Sequence, residues 1–196
     1  MELLPKSKAI FIFTGPVGSN RKSVAEMVGS TLSLTHIVAY TTRKPRSYET
    51  DGQDYHFIDL ESFIRAEQNN EFIEEHRLKD VHYGIKTEEI MEAFETHDFI
   101  FLLLNKEGSE ILKQIYGDHV IRIFIYSDKD KVRERLISRG DTEEVVENYL
   151  KQYDAEISYK DQCEYQFENL DLVDTTYEVT NILDHWLQRQ LTVLDH

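Results

Sequence analysis

Apolar and polar positions along the chain fall into two alternating rhythms. Three apolar, β-rich runs, "AIFIF" at residues 9 to 13, "DFIFLLL" at 98 to 104 and "VIRIFIY" at 120 to 126, read as parallel strands buried on both faces. Between and after them, apolar residues recur at helical spacing in "RKSVAEMVGSTL", "KEGSEILKQIY", "KDKVRERLISR", "TEEVVENYLKQYDAEISY" and "YEVTNILDHWLQRQL". Strands alternating with helices predict an α/β fold, a parallel sheet flanked by helices. Residues 40 to 95 break the rhythm. "YTTRKPRSYETDGQDYHFI" is loop-rich, and "EFIEEHRLKDVHYGI" has the form of short antiparallel strands around a turn, so this stretch is expected to be an inserted ligand-binding subdomain. No internal repeat, low-complexity segment or Pro/Gly-rich linker marks a second independent domain.

Composition narrows the function classes. At 196 residues the chain suits one domain with a sizeable core, and its net charge of −15 argues against general affinity for nucleic acid or an anionic membrane. A phosphate-bearing ligand therefore needs a local basic pocket. The single cysteine, Cys163, excludes an internal disulfide, and no apolar stretch is long enough for a membrane span or signal peptide, so a cytoplasmic location is expected. Cys163 lies between Gln162 and Glu164 with no activating cluster nearby and reads as structural. His56, His76 and His82 show no ligand pair at helical spacing with a third ligand near, so no metal site is expected from them.

The basic pocket is found in "TTRKPRSYETDGQDYHF". Arg43 and Arg46 flank Lys44 and Pro45, which puts two planar, permanently charged forks on a stiffened loop suited to gripping a phosphate. The competing reading pairs both arginines with Glu49 and Asp51 at the surface. The stretch resembles the GMP-binding signature TTRxPRxxExxGxDYxF of the guanylate kinase family, and "NNEFIEEHRLKDVHYGI" and "RLISRGDTEEV" extend the resemblance over nearly the whole chain.

The resemblance implies a nucleoside monophosphate kinase-like fold with a core of residues 1–38, 96–139 and 160–196, a small mixed α/β GMP-binding insert of 39–95 and a helical lid of 140–159. It implies that Arg43, Arg46, Tyr55 and Tyr83 hold the GMP phosphate, that Glu74 reads the guanine ring and that Glu49 supports the arginines. Ala39 and Ile85 stand where the family has hydroxyl residues. Neither side chain can donate or accept, which predicts weaker discrimination of guanine.

The loop "GPVGSNRKS" fits less well. A phosphate-binding loop GxxxxGK[ST] is expected here, between the first strand and the first helix. Gly15, Pro16 and Gly18 match, but Asn20 stands at the second glycine, Arg21 at the lysine and Lys22 at the hydroxyl position. Asn tolerates a left-handed conformation, so the turn is expected to survive. Arg21 is wide and planar where a point charge belongs, and Lys22 puts a cation where a hydroxyl would ligate magnesium. A slip of one residue would make Lys22 and Ser23 the "KS" pair. The helix phase favours the ungapped register, because it puts Val24 and Val28 on the sheet instead of Ala25 and Gly29.

Further losses follow the same direction. Leu103 and Asn105 occupy the positions of the family's DxD aspartates, and Tyr149 and Asp154 those of its lid arginines, while Arg135 and Arg139 match. The resulting expectation is a guanylate-kinase-like protein that binds GMP or another phosphorylated ligand, with ATP:GMP phosphotransfer weak or lost. One alternative is an active guanylate kinase using magnesium-ATP, with Arg21, Lys22, Arg135 and Arg139 as catalytic cations. A further alternative is a phosphoprotein-binding or regulatory module, as in the guanylate kinase domains of membrane-associated scaffold proteins.

Overall fold

The structure, a computed structural model, describes residues 4–5, 7–78 and 80–194. Its centre is a five-stranded parallel sheet in the order β2-β7-β1-β8-β9, made from β1 (Ala9–Thr14), β2 (Thr35–His36), β7 (Phe99–Leu103), β8 (Val120–Tyr126) and β9 (Tyr165–Glu168). The three apolar runs supply the middle of this sheet. β1 is buried along its whole length because its two faces enter different layers. Ala9, Phe11 and Phe13 pack with Val24, Ala25 and Val28 of α1 (Arg21–Leu32) and with Val179, Leu183 and Leu187 of α7 (Leu172–Leu194). Ile10 and Ile12 pack on the opposite side with Leu112 of α4 (Lys106–Tyr116) and with Ile90 and Phe94 of α3 (Thr87–Thr96).

Between β2 and α3 lies a second sheet, in the order β4-β3-β6-β5, from β3 (Tyr40–Thr41), β4 (His56–Phe57), β5 (Phe72–Leu78) and β6 (Val81–Lys86), with α2 (Leu60–Gln68) beside it. The antiparallel pair β5/β6 matches the expected strands around a turn; β3 and β4 pair in parallel. α3, which runs one residue past the 39–95 stretch, packs on the central sheet. α5 (Lys129–Ser138) and α6 (Glu143–Ile157) form a helical pair with their own small core of Val132, Leu136, Val146, Leu150 and Tyr153.

Besides β3 and β4, which lie in the loop-rich stretch, four elements go beyond those expected from the apolar rhythm. β2 is only two residues long, and β9, "YQFE", buries one side chain, Phe167, so neither carries an apolar run. α2 and α3 lie in the stretch that reads as loop and strand. α7 begins at Leu172, five residues before the apolar pattern becomes regular, because Asp171 accepts from the backbone N of Val173 at 2.8 Å and of Asp174 at 3.1 Å. Among the described residues, no helix is long and apolar enough to cross a membrane.

Candidate functional site: a cleft between two sheets

A cavity of about 670 Å³ runs from the loop after β1, along the mouth of α1, to the second sheet. It joins most of the residues expected on sequence grounds: Gly15, Pro16, Gly18, Asn20, Arg21, Lys22, Ser23, Arg43, Arg46, Glu49, Tyr55, Glu74, Tyr83 and Arg139 all line it. Arg135 does not. Its guanidinium donates from Nη1 to Ser127 Oγ at 2.7 Å and to the Gly18 carbonyl at 3.2 Å, so it supports the loop from behind.

The loop has backbone features expected of a phosphate-binding turn. Gly15 has φ +131°, and a Cβ there would lie 2.0 Å from the Ile125 carbonyl oxygen, which admits only glycine. Asn20 takes the left-handed conformation at φ 61°, as expected for the residue at the second glycine, and α1 starts immediately after it. The helix phase does not separate the two registers, because Val24, Ala25, Val28 and Gly29 are all buried; Gly29 is packed so tightly that a Cβ would meet the Phe101 ring at 2.5 Å. Side-chain direction favours the ungapped one. Arg21 folds back over the loop and donates to the Gly15 carbonyl at 2.5 Å, whereas Lys22 leaves the loop to pair with Asp54 of the second-sheet segment and, at 3.4 Å, with Glu26. Burial opposes the charge on Lys22, but Asp54 and Glu26 outweigh it and raise its pKa.

At the other end, Arg43 makes a two-pronged bond to Glu49, Nη1 to Oε2 at 2.6 Å and Nη2 to Oε1 at 2.7 Å, while its guanidinium lies 4.9 Å from the Tyr55 ring centre. Glu49 also accepts from the backbone N of Arg46 at 2.8 Å. Burial works against ionisation of Glu49, but these donors prevail and hold its carboxyl below the ordinary range. Asp51 accepts from the backbone N of Phe57 and takes no arginine. Glu49 therefore orients Arg43 while Arg46, more exposed, reaches only Tyr48 at 3.3 Å and Glu49 at 3.8 Å. Tyr55 and Tyr83 pack edge to face at 5.9 Å between their ring centres, and burial raises the Tyr83 pKa, which keeps its hydroxyl a donor.

Glu74 is 2% exposed, and His76 Nδ1 lies 2.7 Å from its Oε1, with the imidazole stacked on Tyr83 at 5.2 Å. His76 and Asp54 are the two residues whose roles sequence reasoning missed. Asp54 lies inside the quoted signature without a role of its own, and His76 drew attention only as a metal ligand. Of the two residues that stand where hydroxyls were expected, Ala39 is on the cavity wall and Ile85 is buried in the apolar layer under the second sheet.

The aspartate positions carry no charge. Leu103 lines the cavity, and Asn105 caps α4, its Oδ1 accepting from Gly108 N at 2.9 Å. No group of three His, Cys, Asp or Glu among the described residues is placed to hold a metal. With a lysine ammonium at the hydroxyl position and leucine at an aspartate position, this donor set does not fit magnesium. In the lid, Tyr149 lines the cavity, Arg139 Nε donates to Asp141 at 2.7 Å, and Asp154 pairs with Lys129 at the surface at 3.0 Å. Glu156 of α6 also reaches the cavity, and burial, only partly offset by Arg21, raises its pKa.

Comparison with known proteins agrees with this geometry. The family model described as guanylate kinase matches residues 7–186. A guanylate kinase of Fusobacterium nucleatum subsp. nucleatum is 26% identical over 178 residues, 90% of this chain and 96% of that protein. One from Helicobacter hepaticus is 30% identical over 167 residues, 84% of each. The crystal structure of guanylate kinase from Anaplasma phagocytophilum superposes with a TM-score of 0.75 at 24% identity, covering 95% of this chain and 89% of that one, and so shares the fold. With the model matched across both sheets and the helical pair, the chain belongs to the guanylate kinase family.

Proposed function

We propose that this chain binds GMP or a related phosphate-bearing ligand through the cleft, with phosphate transfer from ATP weak or lost. The observation that carries this reading is the asymmetry of the cavity. At one end Arg43, Arg46, Tyr55 and Tyr83 converge, with Arg43 already oriented by Glu49 and the buried Glu74 carboxylate set behind them. At the other end, the positions that organise a triphosphate hold Arg21, Lys22, Leu103 and Tyr149. Phosphoryl transfer depends almost wholly on positioned charge. Each preorganised contact removed raises the barrier by about 3 to 4 kcal/mol, so losing several lowers turnover by many orders of magnitude even when the losses are not additive.

Titration of the purified chain with GMP and with ATP, by calorimetry, followed by an assay of ADP formation from the pair, tests the proposal. Binding of GMP with no turnover is expected. A second reading, active phosphotransfer, is favoured by Arg21, whose guanidinium folds over the loop onto the Gly15 carbonyl and lines the cavity. Turnover that disappears in Arg21→Ala would establish it and overturn the first.

A further inference from the structure

The misfit with magnesium has a counterpart in the cleft. In loops of this form the hydroxyl after the lysine ligates a metal ion that neutralises the phosphates. Lys22 stands at that position, lines the cavity, and is held from both sides, by Asp54 and by Glu26. An ammonium group has three donors, so two carboxylate partners leave one for a ligand. Asp54 is itself fixed, its Oδ2 accepting from the backbone N of Thr50 at 2.8 Å, and it immediately precedes Tyr55, over whose ring Arg43 lies. The ion pair thus brings a cation from the phosphate-binding loop to the edge of the cluster that grips the first phosphate.

We propose that Lys22 takes the place of the divalent metal in this cleft, its ammonium group holding a second phosphate on a guanine nucleotide, so that a guanosine diphosphate binds without metal. This rests on the reading of Arg43, Arg46, Tyr55 and Tyr83 as the site of the first phosphate. Asp54 and Glu26 offset part of the charge of Lys22 but hold its ammonium in position, and its third donor is what a phosphate oxygen would take. Metal-loaded nucleotide is disfavoured. It would have to displace the ammonium from its two carboxylates, and neither Leu103 nor Asn105 supplies a carboxylate ligand to hold the metal instead. Magnesium, which chelates a diphosphate, therefore acts here as a competitor of Lys22.

Calorimetry of the full chain with GMP and with GDP, each in EDTA and in millimolar magnesium, reads this directly. In EDTA, GDP binds about tenfold more tightly than GMP, the scale of one charge-assisted hydrogen bond. Magnesium weakens GDP and leaves GMP unchanged. Lys22→Ser removes the advantage of GDP but still binds GMP; Asp54→Asn, which keeps the ammonium and removes its tether, lessens that advantage without abolishing it. Equal affinities for GMP and GDP in EDTA, a GDP advantage that appears only with magnesium, or equal loss of both ligands in Lys22→Ser would each overturn the proposal, the last by showing that Lys22 merely holds the Asp54 loop. Failure of GMP itself to bind is a separate outcome, which overturns the pocket reading and this inference with it.

Discussion

Glu164 accepts from the backbone N of Arg122 at 2.7 Å, from its Nε at 3.1 Å and from its Nη2 at 3.0 Å, and Lys113 lies 3.1 Å away. Burial by itself would raise the carboxyl pKa, but the donors from Arg122 and Lys113 prevail and hold it at about 2. A carboxyl whose folded pKa lies below its unfolded value stabilises the fold above the unfolded value and loses that contribution as pH falls through the folded one. Glu164→Gln is therefore expected to cost about 2 kcal/mol at neutral pH, a figure reduced from the full shift because the group is partly exposed. The window is roughly pH 4.5 down to 2, so more than half of the difference between wild type and variant should be gone by pH 3. Urea midpoints of the two proteins at both pH values check it, and a gap independent of pH would assign the effect to packing. The same chemistry recurs at Glu49 in the candidate site: there the arginine is oriented toward a cavity, while at Glu164 it ties β8 to the segment entering β9.

The loop after β1 owes its shape to elements distant in sequence. Asn169, which follows β9 and is fully buried, donates from Nδ2 to the Ser19 carbonyl at 2.8 Å and accepts from Thr175 Oγ1 at 3.3 Å, while its own carbonyl accepts from Ser127 Oγ at 2.8 Å. Arg135 from α5 secures the adjacent Gly18 carbonyl. Asn169→Ala strands the Ser19 carbonyl and the Thr175 hydroxyl and should destabilise the chain by about 2 kcal/mol, read as a lower urea midpoint with an unchanged slope. A change under about 0.5 kcal/mol would mean water replaces the amide. None of this was legible in the sequence, because β9 has too few apolar residues to announce a strand and Asn169 has no local partner. What was legible obeys short-range rules. The continuous apolar runs of β1, β7 and β8 and the helical spacing of α1, α4, α5 and α6 reflect burial on two faces or one, which periodicity records.

At the scale of the molecule, the candidate site was legible through its signature residues and opaque in its cross-links. Arg43, Arg46, Tyr55, Glu74 and Tyr83 converge as expected, but the Lys22–Asp54 pair joins positions 32 residues apart in different sheets' territory, and only the fold reveals it. Charge is legible and carries its own consequence. On a chain of net charge −15, attraction for the dianionic ligand proposed above is confined to the cleft while the rest of the surface repels. The screening length is about 30 Å at 0.01 M salt and about 8 Å at 0.15 M. At low salt the ligand feels the whole molecule; at physiological salt it feels chiefly Arg43, Arg46 and Lys22 once it reaches the mouth. The association rate of a fluorescent guanosine monophosphate analogue should therefore rise severalfold across that range, the reverse of the behaviour of a basic phosphate-binding protein. Stopped-flow mixing measures it. A rate that falls with salt would show that the field of the cleft reaches beyond the acidic surface, and that the cations lining it outweigh the carboxylates around them even at a distance.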